Sequence, residues 1–161
     1  MNMLSFAEWL ESFGLRGPVH IPWVWPALEA VHFLGLVLLL GPVLMLDLRM
    51  LGVAKQLPAG PLHKFVPWSL AGFGLALTTG LLFIFGRATN YVDNMFLYLK
   101  IPALFLAGLN ALLFYLTKTN QRVVALGPGE DAPIVAKVFA GASILLWLSV
   151  IFLGRMIGIY G

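Results

Sequence analysis

The chain has 161 residues, 60% of them hydrophobic and 11% charged, with a mean hydropathy of +0.93 and a formal net charge of +3. A soluble domain carries about 25% charged residues, so the composition excludes an ordinary water-soluble globule. There is no Lys/Arg run to follow a nucleic-acid backbone, and the absence of Cys removes disulfides, thiolate metal sites, iron–sulfur ligation and a Cys nucleophile.

A bilayer core needs about 20 apolar residues per helix, and the chain holds four such segments. They predict a single all-α integral-membrane domain over residues 1–161, a four-helix transmembrane bundle with a short N-terminal interfacial helix. Residues 3–15 read as that helix. Phe6, Trp9, Leu10 and Phe13 share one face, Glu8, Glu11 and Ser12 share the other, and Ser5 with Glu8 has capping-box spacing. No Lys or Arg precedes the first apolar residues, so a cleavable secretory signal is not expected.

Span one is expected over about residues 22–51, with Pro26 in its first turn and a kink at Pro42, after Gly41. Span two follows at 66–86, with Pro67 at its start, then span three at 94–117 and span four at 133–159. The connections around Pro58, Gly60 and Pro61 and around Gly127, Pro128 and Gly129 read as polar loops. Arg49, Lys55, Lys64, Lys118, Arg122 and Lys137 lie on the side of these two connections. Arg16, Arg87, Lys100 and Arg155 lie on the other. The asymmetry predicts a bacterial cytoplasmic (inner) membrane protein with both termini periplasmic.

Glu29 and His32, one helical turn apart inside span one, are the most informative residues. A carboxylate at a helix centre in a bilayer costs roughly 2.5 kcal/mol or more, so it must be partnered and turned from lipid. At 1.5 Å per residue, Glu29 lies roughly 10 Å and His32 roughly 15 Å from Pro22, and Lys100 of span three lies roughly 9 Å deep. Arg155 falls within about two turns of the same surface. Glu29 paired with Lys100 or Arg155 is therefore expected, with Asn110 further along the inward seam Lys100, Ala103, Ala107, Asn110 and Phe114. Small-residue stripes (Gly35; Gly72, Ala76 and Thr79; Ala136, Ala140, Ser143, Gly154 and Gly158) mark helix contacts. Asp47 with Arg49 reads as an ion pair at the opposite end.

The pattern points to a cofactor- or ligand-binding membrane subunit, with no activity of its own expected, whose site is formed by His32, Glu29, Lys100, Arg155 and Asn110. Its sharpest version is b-haem electron transfer, with His32 as metal ligand and Lys100 or Arg155 facing a propionate. The usual pair of axial His is not available in one chain, because His20 precedes span one and His63 lies at the far end. A haem would need a non-His sixth ligand, a vacant position, or His32 of a second copy. The alternatives are an accessory or scaffold protein whose polar cluster fixes helix register, and a small transporter or proton-conducting protein. Expected partners are the lipid bilayer and a homo-oligomer or larger membrane complex, with no nucleic acid.

The ordered set LEAVHFLG, LDLRMLG, PWSLAGFGLALTTGLLF, NMFLYLKIPALFLAGLNALLFY and SILLWLSVIFLGR resembles an uncharacterised bacterial family of small four-span integral-membrane proteins, over about residues 26–160. The matching positions include Glu29, His32, Asp47, Arg49, Trp68, Gly80, Lys100, Asn110, Trp147, Gly154 and Arg155. The resemblance implies the fold and membrane location and no activity. A looser similarity reaches the copper-resistance membrane proteins and b-type cytochromes, which also place a His in an early span. This chain departs from them in span three, where Phe114 and Tyr115 stand in place of a His, and in lacking Met- and His-rich loops.

Overall fold

A computed structural model describes residues 3–12 and 21–160, all helix, turn or loop. The helices are α1 (Met3–Glu11), α2 (Val24–Leu51), α3 (Ala59–Leu62), α4 (Val66–Gly86), α5 (Ala88–Tyr91), α6 (Met95–Leu116), α7 (Lys118–Val124) and α8 (Ile134–Tyr160), with a 3-10 turn at His63–Phe65. Four of them, α2, α4 with its leading turns, α6 and α8, are long and apolar enough to cross a membrane. The chain is an all-α, four-span membrane bundle.

Local chemistry sets the ends of these helices. Asn94 caps α6, its Oδ1 accepting from the Phe96 and Leu97 amides at 3.0 and 3.4 Å. Pro67 stands in the first turn of α4, where a missing N–H costs nothing. Gly52 ends α2 at φ +90°, and the Gly52 and Val53 amides bond back to Arg49 and Leu48. The helical assignment of α2 runs on through Pro42. Ser5 and Glu8 fall inside α1, so they do not form the expected N-terminal cap. Residues 13–15 of the expected first helix, with Arg16 and His20, lie outside the described residues.

Packing follows the small-residue stripes. Helix α2 packs on α4 and on α8, and α8 packs on α6. The order across the bundle is thus α4, α2, α8, α6, and the two flanking helices make no extended contact with each other among the described residues. Where α2 crosses α4, a methyl added to Gly72 would lie 2.5 Å from the Leu39 nitrogen and 2.6 Å from the Gly35 carbonyl oxygen. The two backbones touch there because neither glycine has a side chain. Leu39, Ala107, Trp147 and Val150 form the mid-bundle core. Bulky groups such as Phe33, Val37, Leu70, Phe105 and Leu145 face outward, the distribution suited to a lipid solvent.

The bundle has two unlike ends. At the loop end, α3, α7 and the two connections fold over the helices around Leu46, Met50, Ala59, Phe114, Val123 and Ala136. Arg49 is the key of this cap. It is fully buried, and its guanidinium donates to the carbonyls of Leu57, Gly127 (2.8 Å) and Glu130 (3.1 Å). Outside, Asp131 bridges Lys137 at 2.9 Å and Lys55 at 3.3 Å. Hydrogen bonds from Lys137 and then Lys55 hold its carboxyl below the usual carboxylate range. The expected Asp47–Arg49 ion pair does not form. Residues two apart on a helix do not face each other; Arg49 turns to the loops and Asp47 toward α8. At the terminal end, α1 lies against α5, and buried Glu11 accepts from the Thr89 amide (2.8 Å) and hydroxyl (2.7 Å). Met3, Leu4, Phe6 and Trp9 of α1 stay exposed.

Candidate functional site

The terminal half of the bundle holds Glu29, His32, Thr79 and Lys100 within its spans, in two tiers. The deeper tier is built on His32. Its Nδ1 lies 2.8 Å from the Thr79 hydroxyl, and that hydroxyl is also 2.8 Å from the Leu75 carbonyl and 3.2 Å from that of Ala76. A carbonyl only accepts; with the single Thr79 proton on the backbone, His32 Nδ1–H donates to Thr79 and Nε2 is an acceptor, whereas with that proton directed to Nδ1 the tautomer is reversed. No hydrogen bond to Nε2 occurs among the described residues. The ring rests edge-on to Phe83, with centroids 5.5 Å apart, and a methyl on Gly80 would touch its Cε1 at 3.7 Å.

Lys100 approaches from α6. It crosses onto α8, its Nζ 3.0 Å from where a Gly154 methyl would stand, and lies within electrostatic range of the His32 ring. No hydrogen-bond acceptor or ion-pair partner for this half-buried ammonium occurs among the described residues. The glycine of α8 therefore serves as the floor on which the lysine stem lies.

The upper tier is an aromatic rim. Trp25 Nε1 donates to Glu29 Oε1 at 2.8 Å, an i,i+4 bond within α2. The Trp25 ring packs on Phe83 (centroids 4.9 Å apart) and carries the Arg87 guanidinium at 3.9 Å. Tyr91 lies beside them. Burial pushes its phenol up, Arg87 pulls it down and Glu29 pushes it up again.

Of the residues that the sequence singles out, the structure places His32 and Lys100 within electrostatic range of each other, without a direct contact among the described residues. Glu29 is exposed and held by Trp25 in the tier above; it makes no ion pair with Lys100 or Arg155 among the described residues. Arg155 is exposed on α8. Asn110 lies about 15 Å along α6 from Lys100, donating to the Phe139 carbonyl at 3.2 Å. Thr79, Phe83, Trp25 and Arg87 are site neighbours that sequence reasoning did not assign. Trp25 was readable from its spacing to Glu29; Thr79 had a weaker signal, a hydroxyl on the small stripe of α4.

Among the described residues the donors do not fit a six-coordinate haem within one chain. Among the described residues no second imidazole faces His32: His63 is at the loop end, its ring nitrogens bonded to Ala59 and Asn120. No group of three His, Cys, Asp or Glu side chains suited to a metal occurs among the described residues either. Directly below His32 the Gly35–Gly72 crossing closes α2 onto α4. No curated protein and no solved structure matches the chain. Residues 9–160, and so all four spans and both tiers, match the model of a family of unknown function, DUF6644, and the chain belongs to that family.

Proposed function

We propose that this membrane protein holds a ligand in the terminal half of its bundle and acts as a binding subunit with no reaction of its own. One observation carries the reading: Lys100 places an ammonium inside a span, against Gly154 and within electrostatic range of His32, with no protein acceptor among the described residues. Such a charge costs several kcal/mol in a bilayer unless something partners it. A ligand bearing an anionic or acceptor oxygen satisfies it, and the free Nε2 of His32 bonds to a hydroxyl on the same molecule. Glu29, Trp25, Arg87 and Tyr91 form the rim above. Arg155 and Asn110 play no part in this version. The Lys and Arg asymmetry supports a cytoplasmic membrane location with this end periplasmic.

The test is extraction. Protein purified in mild detergent is extracted with organic solvent and the released small molecules are identified by mass spectrometry, for the unaltered chain, Lys100→Met and His32→Gln. A species present in about one-to-one ratio with the unaltered chain and lost from both folded variants supports the reading. Identical extracts from all three overturn it and favour a register-fixing, scaffolding role. An absorption spectrum with and without dithionite is the check on haem: a reducible Soret band lost in His32→Ala would restore the haem version.

A further inference from the structure

The loop half of the bundle contains a group that the ligand site does not use. Asp47 of α2 is 4% exposed, and its Oδ2 is buried with no hydrogen-bond partner. Ser143 of α8 and Tyr115 of α6 lie within electrostatic range of the carboxyl, and neither makes a hydrogen bond to it among the described residues. On α2 itself Arg49 is the nearest cation in sequence, but its guanidinium is committed to the Leu57, Gly127 and Glu130 carbonyls. His63 is bonded to Ala59 and Asn120, while Lys55 and Lys137 are drawn to Asp131 at the surface. No cation lies within ion-pair distance of Asp47 among the described residues.

An ionised carboxylate in such a place has neither water nor counter-charge, and buried groups of this kind neutralise rather than stay charged. The geometry points to Asp47 as a proton-binding site of the bundle, a carboxylic acid whose proton takes the place of the missing cation and lets α2 seat on α8. This site is independent of the ligand site. The two are separated by the Gly35–Gly72 crossing and the core around Leu39, Trp147 and Val150. Releasing the proton would demand that the α2–α8 contact admit water or a cation. Asp47 is thus placed to couple proton occupancy to the α2–α8 contact at the loop end.

Isotope-edited infrared spectroscopy of the full chain in lipid nanodiscs reads this directly. At neutral pH the unaltered protein should show a carboxylic-acid C=O band that moves when aspartate is labelled with ¹³C. Asp47→Asn should abolish that band completely. Ser143→Ala should keep it but move it to higher frequency, since a neighbouring hydroxyl dipole is lost; this arm needs only a folded protein that retains the acid. Absence of any ¹³C-sensitive acid band, or its persistence in Asp47→Asn, overturns the assignment. So does replacement of the band by a carboxylate signal when sodium is added, which would make the occupant a metal cation.

Discussion

Asp47 and Arg49 show what one residue's surroundings decide. In the sequence they are an acid and a base two positions apart at the end of a span, and an ion pair is the natural expectation. In the structure both are buried and they serve different neighbours, because helical geometry sends them in different directions. Nothing in the local sequence identifies carbonyls some 80 residues away as the partners of Arg49. A hydrogen bond from a charged group is worth about 1.5–3 kcal/mol, and Arg49→Met removes a fully buried guanidinium that donates to three carbonyls. It should lower stability by about 3 kcal/mol or more, read as midpoint loss in detergent unfolding. Arg49→Lys keeps the charge but not the planar fork and should recover only part of the loss. Legibility at His32 and Lys100 was better, since charge inside an apolar run is conspicuous. The error lay in pairing Glu29 with a cation when its own helix supplied Trp25 one turn away.

At the scale of elements, the spans were plain from length and hydropathy, and the observed helices begin and end within about two residues of expectation. The short helices α3, α5 and α7 were not readable. Four to seven residues carry too little periodicity, and such turns exist only because the bundle end supports them. The small stripe Gly72, Ala76 and Thr79 was correctly placed inward, all three being buried. Which helix it met could not be read, as every span carries a similar stripe. The α2–α4 crossing gives a sharp contrast. Gly72→Ala drives a methyl into the backbones of Leu39 and Gly35, so the helices must part, at a cost of about 1–3 kcal/mol or more. Gly74→Ala, two residues along the same helix, meets nothing within 4 Å and should be neutral or slightly stabilising. Paired thermal melts of the two variants check this; equal destabilisation would mean that the crossing is not where the helices touch.

For the whole molecule, four crossings bring the two connections to one face and both chain ends to the other. The chain has no cysteine, so a single introduced thiol is a unique reporter. Gln56→Cys at the loop end and Asp93→Cys at the terminal end, both exposed, should react with a membrane-impermeant maleimide from opposite sides of oriented vesicles. Reaction of both from one side would contradict the four-span topology. The order of helices across the bundle was invisible beforehand, since outward faces and contact faces alike are apolar and only residue size distinguishes them.

That order has a consequence for any molecule seeking Lys100. Helices α4 and α6 flank the row without extended contact with each other, so the row is unclosed on the side between them. If the proposed ligand reaches Lys100 that way, it comes sideways, out of the hydrocarbon. Its occupancy would then track how strongly it partitions into the acyl chains rather than its aqueous concentration, so that greasy compounds scarce in water could still fill the site.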